Sequence, residues 1–350
     1  MAAPVLTVRM LNRALLARQL LLDRAPVPVA EALERIGGIQ NQYAPSGYIG
    51  LWSRVADFRR DALTDELEAR RVVQGTLMRS TIHLVSASDF RLFAAGTRDA
   101  RREWWLRSFR TQLDGIDIES ATARIRNLLA GQPRRAREML EVLAAEGYPR
   151  IAWVSAGQWI DMVRVPPSGT WRQRRADLYG LADEWLGRPE VPVDHGLERL
   201  VRAYLGGFGP AAASDIANWA GLPLEAVRSA LDRMELARFE DENGGELLDL
   251  AGLPLPDPDT PAPVRFLPTW DATLLVHARR TGILPERLRP LIFNTKTPHS
   301  VPTFLVDGNV AGSWRYEKGR VATQPFEPLS AAVRRAVNDE ADRLAAFHNE

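Results

Sequence analysis

The chain is 350 residues long, 45% hydrophobic and 25% charged, with 45 Lys+Arg against 44 Asp+Glu and no cysteine. That length allows roughly two to three domains of ordinary globular composition, and the lack of cysteine excludes disulfides, iron–sulfur clusters, zinc–thiolate sites and a cysteine nucleophile. No apolar run approaches the ~20 residues of a membrane span, and MAAPVLTVRM has no apolar signal core or cleavage site, so a soluble cytoplasmic protein is expected.

Leu11, Leu15, Leu16, Leu20, Leu21 and Leu22 follow a helical period after Thr7. Val29 to Ile36 predicts a second helix, ended by Gly37-Gly38, and Asp61 to Arg70 a third. Val72 to Met78 and Thr81 to Val85 predict two short strands, with Ser86 capping a helix through Phe93. Helices followed by a hairpin have the order of a winged helix. The order recurs: Ser120 to Leu129, Arg134 to Ala145 and Ala156 to Met162 read as helices, and Val163 to Trp171 carries a Pro166-Pro167-Ser168-Gly169 turn as a wing. A third copy has helices at Gly196 to Leu205, Ala212 to Ala220 and Pro223 to Met234. Its hairpin, Leu236 to Phe239 and Glu246 to Leu250, flanks Asn243-Gly244-Gly245. The Pro-rich stretch 255–265 reads as a linker. Beyond it Val264 to Phe266, Thr273 to Val276, Thr303 to Val306 and Val310 to Trp314 read as strands, before a helix from Leu329 to Phe347. The fold class expected is α+β, mainly helical, with units at 1–112, 113–195 and 196–254 and a β-rich region over 255–350.

The near-neutral charge hides a distribution. Only Lys296 and Lys318 are lysines, and arginine is the side chain whose planar fork best matches phosphate. Arg98 to Arg137 holds ten Arg and five acids, Arg164 to Arg175 four Arg and no acid, and Glu240 to Asp259 seven acids and no cation. These runs are either solvated faces with their own countercharges or one basic face of the kind DNA needs.

No dinucleotide fingerprint, P-loop or GxSxG elbow is present. The histidines at 83, 195, 277, 299 and 348 lie far apart without metal-ligand spacing. Gln40-Asn41-Gln42 puts three amides between a Gly-Gly stop and Tyr43-Ala44-Pro45. Such a run is either a capped, solvent-facing loop or a set of uncharged donors and acceptors that holds a water or reads a base edge. Arg79, Thr81 and His83 alternate, so a hairpin would put them on one face.

The segments GGIQNQYAP, GYIGLWSR, GTLMRSTIHLVSASDF, GPAAASDIANWAGL, FLPTWDATLLVHARR and VPTFLVDGNVAGSWR, in that order between about residues 30 and 316, resemble the winged-helix DNA glycosylases of the AlkZ/YcaQ type. The resemblance implies tandem winged helices forming a concave DNA-binding surface, and removal of alkylated purines from DNA, crosslinked ones among them. The catalytic signature of such proteins is Gln-x-Gln or Gln-x-Asp. Here it falls on Gln40 and Gln42, with Asn41 at a middle position that is often apolar.

A purine alkylated at ring position seven is cationic and leaves as a neutral base, so its leaving group needs no protonation. Two glutamine amides, too weakly basic for general-base work, would position the water and stabilise an oxocarbenium-like sugar. Arg79, Thr81, His83, His277, Arg280 and Arg315 are the candidate phosphate or groove contacts. With two lysines, a monofunctional glycosylase without lyase activity is expected. It would be a monomer needing no cofactor or metal, working on duplex DNA in the cytoplasm or on the nucleoid. The competing class is a non-catalytic winged-helix transcription regulator, which would bind a defined operator and release no base. A nuclease fits less well, since no acidic metal cluster stands out.

Overall fold

Thr7 accepts a hydrogen bond from the Met10 amide and starts the helix Val8–Arg18. The leucine period runs on past the helix, but the backbone does not. Leu20 takes a left-handed conformation (φ 57°), and Leu21 and Leu22 turn inward to pack with Leu267 and Leu274. The helix Val29–Ile36 ends at Gly37 and Gly38, both at positive φ, as the Gly-Gly stop predicts. The chain described in this computed structural model comprises residues 3–187, 191–275, 282–294 and 299–350.

A helix that the periodicity does not predict, Ala44–Trp52, follows the amide triplet with all nine of its residues buried. A helix with no solvent face has no polar stripe to reveal its period. Arg60–Glu68 comes next, then the antiparallel strands Val72–Thr76 and Ile82–Ser86. Between them lies a 3₁₀ turn, Met78–Ser80, so Arg79 is not a strand residue and the expected alternation of 79, 81 and 83 on one face fails. Ser86 caps a helix through its side chain, as expected, but that helix runs on for 22 residues, Ala87–Ser108.

The next helices are Ile118–Leu129, Ala136–Ala145 and Arg150–Trp159. Met162, placed in a helix by the sequence reading, begins the strand Met162–Arg164, and Arg134–Arg135 pair as a short strand instead of opening a helix. One six-stranded sheet takes its strands in the order Ile39–Gln40, Ile82–Ser86, Val72–Thr76, Met162–Arg164, Leu178–Leu181, Arg134–Arg135. Strands from before and after residue 112 therefore share one sheet.

The helices Val193–Phe208, Ala213–Ala220 and Leu224–Leu231 lead into the hairpin Leu236–Asp241 and Glu246–Leu250 around the Asn243-Gly244-Gly245 turn. Val5–Leu6 adds to it in parallel. The helices Ala87–Ser108 and Val193–Phe208 cross backbone to backbone at Gly96 and Gly196, where a Cβ on Gly196 would lie 2.5 Å from the Gly96 nitrogen.

The C-terminal sheet pairs Arg265–Leu267, Thr303–Val306, Asn309–Glu317 and Arg320–Pro325 in that order, with the helix Ala331–Asn349 against it. The strand expected from Thr273 to Val276 is a helical turn, Ala272–Leu275, and Val276 lies outside the described residues. The reason is local. The Asp271 carboxylate accepts from the Thr273 amide at 3.1 Å and hydroxyl at 2.8 Å, the side-chain-to-backbone bonding that starts a helix. One core joins Leu33, Trp52 and Leu63 of the first segment to Phe266, Trp314 and Phe347 of the last. Buried pairs Arg54–Asp271 at 3.0 Å and Arg18–Asp249 at 2.7 Å tie the N-terminal segment to the later ones.

Candidate functional site

Ile39–Gln40 is the edge strand of the large sheet, and Gln40 lies directly opposite His83. Side chains alternate along an extended chain. Accordingly, Gln40 and Gln42 bond to each other, while Asn41 finds different partners. Gln40 Nε2 donates to Gln42 Oε1 at 2.7 Å, and Arg79 Nη2 donates to Gln40 Oε1 at 2.8 Å. Gln40 is buried and Gln42 is exposed. The triplet is thus a buried strand end that surfaces at Gln42, not a solvent-facing loop.

Asn41, 2% exposed, donates from Nδ2 to Gln74 Oε1 at 3.0 Å and accepts at Oδ1 from the Gly47 amide at 2.9 Å. Gln74 Nε2 in turn donates to the Gly169 carbonyl at 2.8 Å. An apolar residue at 41 would leave a buried amide N–H and part of Gln74 without partners, so the amide at the middle position belongs to a satisfied network. It ties the start of the Ala44–Trp52 helix to the sheet and to the 166–169 turn.

Arg79 takes a left-handed conformation (φ 52°) that turns its guanidinium inward, where Nη1 donates to the Trp219 carbonyl. Burial lowers its pKa to about 10, and among the described residues no carboxylate pairs with it. His83 is also buried. Burial, and after it the charge of Arg79, push its pKa down to about 3. Its Nδ1 lies 3.1 Å from the Thr81 carbonyl, which only accepts, so the ring is neutral with its proton on Nδ1. Thr81, half-buried, donates its hydroxyl to the Met78 carbonyl at 3.1 Å. The structure therefore brings Arg79, half-buried, and His83, fully buried, to Gln40. His277 and Arg280 lie outside the described residues.

Arg315 is exposed on the C-terminal sheet, 3.0 Å from Glu317. It lines a pocket of about 250 Å³ together with Tyr43, Ser46, Arg174, Tyr316 and His348. Tyr43 directly follows Gln42, and Arg174 Nη1 donates to its hydroxyl at 3.0 Å. Arg174 is the cation the candidate set missed; the acid-free run from Arg164 to Arg175 is the signal that points to it. Among the described residues no cluster of His, Asp and Glu is arranged to hold a metal ion.

Chemically, this is an edge strand that offers one exposed amide, backed by a buried second amide and a half-buried guanidinium. The group at the surface has a carbonyl oxygen and an N–H but no ionisable proton. Three comparisons bear on it. A family model described as DNA glycosylase AlkZ-like matches residues 33–347. The interstrand DNA cross-link repair glycosylase of Streptomyces sahachiroi is 22% identical over 358 residues, covering 94% of this chain and 93% of the relative. The solved structure of Streptomyces sahachiroi DNA glycosylase AlkZ superposes with a TM-score of 0.81 at 18% identity, over 98% of this chain and 97% of the other.

Proposed function

The chain belongs to the AlkZ-like DNA glycosylase family, and from that premise we propose that it hydrolyses the N-glycosidic bond of 7-alkylated purines in duplex DNA, crosslinked ones included, with Gln40 and Gln42 as the catalytic pair. The observation that carries this reading is the bonded amide pair, buried at Gln40 and exposed at Gln42. In the proposed step the C1′–N9 bond breaks and the cationic base departs as a neutral one with the bonding electrons. A water oxygen bonds to C1′, and the proton it loses passes to solvent. Gln42 Oε1 accepts a hydrogen bond from that water and offers partial negative charge to the oxocarbenium-like sugar. An amide has no strong basicity to contribute, which restricts the pair to substrates whose leaving group is already activated.

The reading extends to the rest of the chain. The three helix sets with their hairpins are winged-helix units over 1–112, 113–195 and 196–254, presenting a concave surface to DNA beside the β-rich region 255–350. Schiff-base chemistry has only two lysines to draw on, Lys318 in an exposed turn and Lys296 outside the described residues. In this reading the enzyme is a monofunctional glycosylase and a monomer, cytoplasmic and on the nucleoid when bound to DNA. Arg315 and Arg174, which line the pocket with Tyr43, the residue after Gln42, are the phosphate contacts.

The test is release of 7-methylguanine from methylated duplex DNA. Wild-type protein is expected to release the free base. Gln42→Ala should lose about 100-fold or more in rate, the scale of a lost transition-state hydrogen-bonding group, with its DNA affinity retained. Equal release by the two proteins would reject the catalytic pair.

A further inference from the structure

We propose that Arg79 is the positioning residue of the glutamine pair: anchored on the C-terminal end of the Ala213–Ala220 helix, it dictates which way the Gln40 and Gln42 amides face. This role rests on the glutamine reading above and deepens it.

Arg79 is held in place in three ways. Its left-handed backbone is one that non-glycine residues adopt only where the surroundings enforce it. Its guanidinium is partly buried and, among the described residues, without a carboxylate, an arrangement that needs another source of negative potential. The source is the Trp219 carbonyl, in the last turn of Ala213–Ala220, where the helix presents the negative end of its dipole. Gly221, the left-handed residue that ends this helix, packs directly on the arginine: a Cβ there would meet Arg79 N at 3.1 Å and Arg79 Cα at 3.3 Å. A helix of the third helical segment thus reaches across to fix one residue of the first.

The consequence is directional. A glutamine amide can turn over, exchanging its oxygen and nitrogen, and a bonded pair of glutamines has two equivalent senses. A guanidinium donates and never accepts. Its bond to Gln40 therefore requires the Gln40 oxygen on the Arg79 side and Nε2 on the Gln42 side. Gln40 Nε2 then requires an oxygen on Gln42, which fixes Gln42 Oε1 at the junction with one lone pair spare and leaves Nε2 outermost. The donor charge also polarises both amides in the same sense. Without Arg79 the pair is free to reverse, and the partial charges that face the sugar and the water exchange places.

A phosphate contact at Arg79 would predict something else: weaker DNA binding and a shallower salt dependence with the chemical step intact. The informative variants are Arg79→Lys, which remains donor-only, and Arg79→Gln, which bonds but accepts either amide sense. Single-turnover release of 7-methylguanine, DNA affinity at several salt concentrations and Tm are measured for both. Arg79→Gln is expected to lose about 10- to 100-fold in rate, the scale of one charge-assisted hydrogen bond, at unchanged affinity and salt slope. Arg79→Lys should recover most of that loss. In a Gln40→Leu background both substitutions at 79 should change the rate by less than about twofold, because the group through which Arg79 acts is gone. The proposal is overturned if Arg79→Gln is as fast as Arg79→Lys, if the losses at 79 and 40 multiply, or if affinity falls while the rate holds. Should Arg79→Gln fail to fold, Arg79→Met, which removes the donor, takes its place in the same background test, with a multiplying loss as the rejecting outcome. Failure of the glutamine reading would be seen separately, as unchanged release by Gln42→Ala.

Discussion

His83 shows how much of the site's chemistry is set by burial. The ring faces Arg79 and Arg101, donates from Nδ1 to the Thr81 carbonyl, and stays neutral down to about pH 3. A ring held neutral in this way offers the Gln40–Gln42 pair beside it no titrating partner near neutrality. The sign of its linkage to stability follows. The unfolded chain takes up a proton on this histidine near pH 6.5 and the folded chain does not until about pH 3, so stability falls as pH falls through that window. Between pH 7 and pH 5 the wild type should lose about 2 kcal/mol of unfolding free energy that His83→Gln does not lose. His348, held down to about 4 by burial, acts in the same direction in both proteins and cancels. Urea unfolding of the two at pH 7 and pH 5 is the measurement, and parallel losses would mean that His83 is not held neutral. At this scale the amide triplet itself was legible, because three consecutive amides after a Gly-Gly stop are unusual. The opposite facing of Asn41 was not read from it, since it depends on recognising Ile39–Gln40 as a strand. Nor was the inward turn of Arg79, because a left-handed arginine has no local sequence signal.

Elements with one buried face were the ones that periodicity found. Val29–Ile36 and Ala213–Ala220 end on the left-handed glycines, and the hairpin turns on the Asn243-Gly244-Gly245 run, that announce them. Ala44–Trp52 was missed because it has no solvent face, and the Thr273 strand was misread because Asp271 bonds locally to the backbone and overrides the β propensity of the residues after it. The long-helix crossing was equally invisible, since Gly96 and Gly196 are a hundred residues apart and neither lies in a turn. It has a testable cost. A Cβ on Gly196 would come within 2.5 Å of both the Gly96 nitrogen and the Leu92 carbonyl oxygen, and backbone cannot swing aside. Gly196→Ala must therefore separate two helices that carry the central core, and should destabilise the protein by about 1–3 kcal/mol, seen as a lower urea midpoint with an unchanged slope. A substitution with no effect would mean that the crossing is looser than this packing describes.

Charge is a property of the whole molecule, and its placement revises what the clusters suggested. The run from Arg98 to Arg137 reads in sequence either as a basic face or as solvated faces with their own countercharges. In the fold Arg98 and Arg101 share Asp161, Arg124 meets Glu146, Arg126 meets Asp183, Arg135 meets Asp177 and Arg137 meets Glu141. Those cations are largely neutralised by carboxylates within a few ångströms, and pairs of this kind contribute little to an external field. The shorter run behaves differently. Arg164 is buried with its guanidinium over the Tyr179 ring, while Arg172 and Arg174 are exposed, with Arg174 bonded to the tyrosine that follows Gln42. Near-neutral net charge is thus compatible with one small positive region beside the amide pair. Counterion release separates the two classes of arginine. If Arg174 meets a phosphate, Arg174→Gln should weaken duplex binding at low salt and reduce the slope of log affinity against log salt by about 0.9, whereas Arg124→Gln, whose partner is Glu146, should leave the slope unchanged. Equal slopes for wild type and Arg174→Gln, with a reduced one for Arg124→Gln, would place the DNA at the Ile118–Leu129 helix and not at the pocket beside Tyr43.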